Sequence, residues 1–145
     1  MDLLRLLQGY PDAYQVIDPS VHSVSLVDIR RPDAPIIYVN RGFEKLTGYR
    51  PDEVIGRNCR LLQGQETDRD AVAQMGQAIA AGSTHIADLL NYKKSGEPFW
   101  NRLSLRPVQN EHGDITHYVG IQSDITALKR VEDKVIAFAR DLSAL

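Results

Sequence analysis

Gly56-Arg57-Asn58-Cys59-Arg60-Leu61-Leu62-Gln63 holds the chain's one cysteine between two arginines and two amides, in a short segment with turn residues at both ends. Taken alone, Cys59 reads as one more small buried hydrophobe, the commonest fate of a free cysteine. The cations and amides around it also suit a reactive thiol built into a cofactor pocket. What the flanking sequence builds around the segment decides between the two.

Short helices are expected on either side. Arg41 to Leu46 has helical spacing and ends at Gly48, and Pro51-Asp52-Glu53-Val54 starts a helical turn with proline early and Gly56 as its stop. Beyond the octapeptide, Thr67 is expected to cap a longer helix running to Ala81, with Val72, Met75 and Ile79 on one face and Gly82 at its stop. Further out lie β-branched-rich runs. Val24 to Ile29 and Ile36 to Asn40 are separated by turn chemistry in residues 30 to 35. His85 to Lys93, Pro98 to Val108 and Ile115 to Asp124 follow the helices. Strands, then helices, then strands predict an α+β domain, a five-stranded antiparallel sheet with short helices on one face.

Side chains alternate faces along a strand, so parity sorts the two surfaces. Phe99, Asn101, Leu103 and Leu105 share one face, as do Tyr118, Gly120 and Gln122, and Ala87, Leu89 and Asn91. Each set carries one side-chain amide. A single buried amide is satisfied by a neighbour or a water. Three on adjacent strands point to a polar ligand edge, since each left unpaired would cost about 1 to 3 kcal/mol. A flat group with apolar faces and an edge of alternating donors and acceptors suits this face.

The octapeptide resembles the signature of the light-oxygen-voltage (LOV) class of PAS domains, departing only at Leu61, where the family carries phenylalanine. Ile36-Ile37-Tyr38-Val39-Asn40, Phe43-x-x-x-Thr47-Gly48-Tyr49, Asn91-Tyr92-x-x-x-Gly96 and Gly120-x-Gln122-x-Asp124 follow in that family's order and spacing. The chain then divides into an N-terminal helical extension over 1–21, a LOV/PAS flavin-binding core over 22–126, and a C-terminal amphipathic or coiled-coil helix over 127–145.

The resemblance implies a PAS fold and an FMN cofactor, with riboflavin or FAD as the alternatives. Asn91 and Asn101 would hold the pyrimidine edge of the ring, Gln122 would bond it near O4 and N5, Gly120 would leave room for it, and Leu103 and Leu105 would also line the cofactor site. Asn58 and Gln63 would contact the ribityl chain, and Arg60 would pair with the phosphate. It further implies that blue light drives reversible addition of the Cys59 thiol to flavin carbon C4a. Protonation of N5 would then make Gln122 rotate its amide and relay the signal. One position departs. Gly76 stands where the family carries a second phosphate-binding arginine, and Arg69, about two turns earlier on the same helix, is the substitute on offer. The insertion after Gln63 that accompanies FAD-binding members is absent, which favours FMN.

The opposite sheet face carries Val24, Leu26, Ile86, Leu90, Trp100, Val119 and Ile121, too apolar for solvent, so a helix or another subunit is expected over it. Thr126 is the expected cap of the tail, where Leu128, Val131, Val135, Phe138, Leu142 and Leu145 alternate spacings of three and four. That pattern is a heptad seam, or else an amphipathic helix docked on its own sheet. The seam and the outer face together predict a homodimer, with the leucines among residues 3 to 7 packed nearby.

The remaining composition narrows the classes of function. At 145 residues and a formal net charge of -2, the chain suits one domain and offers no electrostatic footprint for nucleic acid or an anionic membrane. One cysteine excludes an internal disulfide, and the four histidines lack zinc-site spacing, so no metal is expected and a cytoplasmic setting fits. No histidine or acid is recognisable beside Cys59, which argues against a thiol enzyme. A blue-light photoreceptor module with an unknown downstream partner is the favoured reading, and a flavin-based redox-sensing PAS domain the alternative.

Overall fold

The computed structural model describes residues 22–144. The N-terminal helix expected over 1–21 and the last seam position, Leu145, lie outside the described residues.

Two strands open the described chain, β1 (Ser23–Asp28) and β2 (Ile36–Val39), and three close the domain, β3 (His85–Tyr92), β4 (Pro98–Gln109) and β5 (Ile115–Asp124). They form one sheet in the order β2-β1-β5-β4-β3 with every neighbouring pair antiparallel. The two ends of the domain therefore meet at the β1–β5 pair. Between β2 and β3 the chain lays down α1 (Arg41–Thr47), α2 (Pro51–Val54), a 3-10 turn (Cys59–Leu62) and α3 (Arg69–Ala80), and after β5 comes α4 (Thr126–Ser143).

Capping chemistry sets most of the boundaries. Asn40 ends β2 and starts α1, its Oδ1 accepting from Phe43 N at 3.0 Å and from Val24 N at 2.8 Å, so one amide joins strand, helix and β1. Gly48 closes α1 at φ +81°, a conformation glycine adopts without a Cβ penalty.

Two expected caps are corrected. Asp68, not Thr67, caps α3 by accepting from Asp70 N and Ala71 N. Thr67 is buried and its hydroxyl is engaged elsewhere, donating to Leu90 O and accepting from Gly64 N, so it ties the approach loop to β3 instead. Thr126 is the first residue of α4, not its cap. Its hydroxyl accepts from Trp100 N while Asp124 Oδ1 accepts from Thr126 N at 2.9 Å.

The core has two parts. Ile36, Val39, Phe43, Val54 and Leu62 cluster between sheet and helices, and Val24, Leu26, Val108 and Val119 cluster on the other face. The outer face is thus buried along β1 and β5, whereas Ile86 on β3 is 63% exposed. The apolar residues of α4 also stay open: Leu128, Val131, Val135, Phe138 and Leu142 are 43 to 64% exposed. The helix does not lie along its own sheet. Among the described residues no helix is long and apolar enough to cross a membrane, and no group of three or more His, Cys, Asp and Glu could hold a metal ion.

Candidate functional site

Cys59 is presented by a rigid device one turn long. Gly56 at φ +89° lets the chain reverse after α2, with Gly56 N and Arg57 O bonded to Ile36 on β2 at 2.8 Å each. Asn58 then caps the 3-10 turn, its Oδ1 accepting from Arg60 N at 2.9 Å, and Leu62 is buried in the helix-side core. Pinned at both ends, the turn holds the thiol over the sheet, which a flexible loop would not do.

The sheet opposite forms the other wall of a cavity enclosing about 800 Å³, its open mouth included. Asn58, Cys59, Arg60, Gln63, Asn91, Asn101, Leu103, Leu105, Gly120 and Gln122 all line it, so the structure gathers the sequence-expected residues around one space. Phe43, Leu62, Met75, Ile79, Leu89 and Tyr118 complete the apolar walls. Cys59 as a residue is half-buried, yet desolvation dominates at its sulfur and pushes the thiol up to about 11, the Ser25 hydroxyl opposing that rise by hydrogen bonding. At neutral pH the thiol is protonated.

The three inward amides are not orphaned. Asn101 Nδ2 donates to Asn91 Oδ1 at 3.0 Å and Asn101 Oδ1 accepts from Ser123 N at 3.2 Å, while Asn91 Nδ2 reaches Leu90 O at 3.3 Å. Gln122 is held by two serines: Ser23 Oγ donates to its Oε1, and its Nε2 donates to Ser25 Oγ, each at 2.7 Å. Among the described residues no buried side-chain nitrogen or oxygen lacks a partner. The expected desolvation cost is therefore met by neighbouring strands. What the amides still offer is spare capacity, because each has two N–H donors and two acceptor lone pairs and uses only part of them.

These residues suit a flat aromatic ligand with a polar edge. Apolar side chains face it from both sides, the amides of three adjacent strands lie along one wall, and Gly120 keeps that wall low. A Cβ at Gly120 would stand 2.7 Å from Ser25 Oγ and 3.1 Å from Gln122 Nε2.

The mouth is polar. Arg60 is ion-paired with Asp33, and Asn58 Nδ2 donates to Asp33 O at 2.7 Å. Arg69 does not line the cavity; it donates to Gln63 Oε1 at 3.1 Å and Gly64 O at 3.0 Å, at the margin beside the mouth. Gly76 is exposed, with nothing within 4 Å of where a Cβ would be.

Ser23 and Ser25, which hold the Gln122 amide, are the site residues the sequence reading passed over. Their signal was present, since Ser23 and Ser25 alternate with Val24 and Leu26 on β1. It becomes informative only with the ladder, which sets Ser23 opposite Gln122 and Ser25 opposite Gly120.

A five-stranded antiparallel sheet with its helices grouped on one face around a cavity is the arrangement of PAS domains, and the PAS domain family matches residues 23–127. The chain is 42% identical, with a TM-score of 0.71, to the LOV domain of the Erythrobacter litoralis blue-light activated histidine kinase, covering 73% of this chain and 97% of that one. The dark structure of the aureochrome LOV photoreceptor is 36% identical, with a TM-score of 0.74 and 92% of each chain covered. The chain belongs to the LOV class of the PAS superfamily.

Among curated proteins it is 53% identical over 97 residues to a blue-light-activated histidine kinase of Brucella anthropi, and 46% identical over 99 residues to Phototropin-2 of Oryza sativa. It covers 67% and 68% of this chain in those matches. The chain spans only 20% and 11% of the length of these two relatives.

Proposed function

We propose that the chain is a blue-light sensor module that binds FMN in this cavity and signals through a reversible bond between the Cys59 sulfur and the flavin. The observation that carries the reading is the single thiol, pinned on its 3-10 turn, facing a wall that bears Asn91, Asn101 and Gln122. When bound, the flavin supplies absorption of blue light and the ring carbon to which sulfur adds. Everything else is supplied by the chain.

Leu89, Leu103, Leu105, Met75 and Ile79 clasp a planar ring and exclude water from its faces. Asn91 and Asn101 orient the ring edge through the N–H and lone-pair capacity their mutual bond leaves free. Cys59 stores its proton on sulfur in the dark, because its thiol is held near 11. Gln122 would bond the ligand edge with either end of its amide, and β5 joins it to Asp124 and the base of α4. At the mouth, Arg60 meets the phosphate in exchange for Asp33, and Gln63 and Asn58 meet the ribityl hydroxyls.

Two copies associate through the exposed heptad seam of α4, which passes the signal to an output domain; several relatives are histidine kinases by name. Denaturing the purified chain and identifying the released chromophore by chromatography and mass tests the ligand. One FMN per chain is expected, and a chain that releases no flavin contradicts the reading.

A further inference from the structure

Arg69 is the first residue of α3, next to the cap Asp68. A cation in the first turn opposes the helix dipole, and a residue set against a local rule is a pointer to function. Its guanidinium turns back over the preceding loop, Nη1 donating to Gln63 Oε1 at 3.1 Å and Nη2 to Gly64 O at 3.0 Å. Two donors of one rigid plane thus hold a side chain and the backbone beside it.

The loop that receives the guanidinium is itself fixed to β3. Thr67 Oγ1 accepts from Gly64 N at 3.0 Å and donates to Leu90 O at 2.6 Å, and Glu66 N donates to the Tyr92 hydroxyl at 3.2 Å. Gly64 packs so closely on the Tyr92 ring that a Cβ there would collide with it. Leu90 and Tyr92 flank Asn91, which lines the cavity as Gln63 does, whereas Arg69 stays outside it. The loop fixes where the Gln63 side chain starts relative to Asn91, and Arg69 fixes where its amide ends.

A glutamine amide has an acceptor end and a donor end, and an unheld one presents either. Here Oε1 faces a guanidinium, which donates and cannot accept, so reversing the amide would set N–H against N–H. Among the described residues nothing accepts from Gln63 Nε2. Its two N–H donors are the end left for a ligand.

We propose that Arg69 is a positioning residue for the ligand that acts through Gln63, fixing the amide so that Nε2 donates to an oxygen of the ligand's polyol chain. The inference rests on the cavity taking a flavin. It gives Arg69 a role that depends on Gln63 and not on a phosphate, so FMN and riboflavin, which share the ribityl chain, should feel its loss alike.

The test titrates the flavin-stripped full chain with FMN and with riboflavin, followed by flavin fluorescence, for the wild type, Arg69→Ala, Gln63→Ala and the double variant. One hydrogen bond corresponds to a factor of about three to ten in affinity, and each single variant should weaken both ligands by about that factor. The double variant should bind no more weakly than Gln63→Ala, since the two side chains act as one unit. A loss confined to FMN would put Arg69 on the phosphate and overturn the inference, as would losses that multiply in the double variant. Nuclear magnetic resonance of the ligand-free chain supplies a second readout. The Gln63 side-chain amide, assigned by its loss in Gln63→Ala, should be ordered in the wild type and mobile on the picosecond-to-nanosecond timescale in Arg69→Ala. Equal mobility in the two would overturn the inference. A wild type that takes up neither flavin, yet whose Gln63 amide loses order in Arg69→Ala, would support the hold of Arg69 on Gln63 and sink only the flavin reading.

Discussion

Lys129 Nζ stands 5.0 Å from the centre of the Trp100 ring, so the first turn of α4 is fastened to β4 one residue away from Asn101. The same turn is bonded to the Trp100 backbone in both directions, Trp100 N donating to Thr126 Oγ1 and Ile125 N to Trp100 O, each at 2.9 Å. Asp88 on β3 adds ion pairs to Arg102 and Lys129. Beyond this turn α4 buries nothing. Whatever moves β4 and β5 therefore reaches the helix at its base.

This anchor predicts an order of effects. Thr126→Val leaves the half-buried Trp100 N–H without its acceptor, which costs about 1 to 3 kcal/mol. Lys129→Ala loses a half-buried cation–π contact and two ion pairs, to Asp88 and Glu132, about 1 kcal/mol together. Hydrogen exchange in the first two turns of α4 should accelerate more in Thr126→Val than in Lys129→Ala. Equal acceleration, or none, would show that the base is held elsewhere.

Gln122→Leu removes the inward side-chain amide of β5, with its separate donor and acceptor ends. The variant should still form the photoproduct, and its α4 should show smaller light-minus-dark differences in hydrogen exchange. Identical differences in the two proteins would exclude Gln122 as the relay.

Gly76 lies open on α3, with nothing within 4 Å of where a Cβ would stand. One charge-assisted bond to phosphate contributes about 1.5 to 3 kcal/mol, so Gly76→Arg should strengthen FMN binding by roughly tenfold to a hundredfold. Riboflavin, which lacks the phosphate, should bind as before. If FMN gains nothing over riboflavin in a titration, the phosphate is already served by a residue such as Arg69.

The Cys59 thiol gives the fold a pH signature. Its value in the folded chain, about 11, lies above the ordinary thiol value of 9.0. Folding thus favours the protonated thiol, a contribution complete below about pH 9 and lost as pH rises through about 11. The wild type should lose stability relative to Cys59→Ala across that window when denaturation midpoints are compared. A constant difference would mean the sulfur is better solvated than its place in the cavity implies.

The seam of α4 predicts a dimer in the dark. Val135 and Phe138 are 61% and 64% exposed, and burying a side chain of that size contributes about 1.5 to 3 kcal/mol. Val135→Asp with Phe138→Asp should convert the dimer to a monomer by light scattering. A monomeric wild type, or an unaffected double mutant, would place dimerisation elsewhere or remove it.

Most of the fold was legible because period and punctuation agree. The five strands follow from β-branched runs bounded by turns, and their inward faces follow from parity alone, which placed Asn91, Asn101, Gln122 and Gly120 on one wall before any register was known. Strand order was not legible, since the β1–β5 pair joins residues about a hundred positions apart and no local signal encodes it. That gap hid Ser23 and Ser25, whose role exists only because β5 lies beside β1. The caps at Thr67 and Thr126 were misread for a related reason. Each hydroxyl is claimed by a strand distant in sequence, Leu90 O in one case and Trp100 N in the other; the neighbouring Asp68 caps α3, and α4 starts with no side-chain cap. At the mouth, the Arg60–Asp33 pair joins two loops whose proximity the sequence does not state.

The measurement that bears most directly on the central claim is an absorption spectrum of the purified chain in the dark, after blue illumination and after return to the dark, for the wild type and Cys59→Ala. The wild type should show a structured flavin band that light removes and darkness restores. Cys59→Ala should show the same band and keep it under the same light. A wild type that does not bleach, or an alanine variant that bleaches and recovers like it, would contradict the assignment of Cys59 as the photoreactive group.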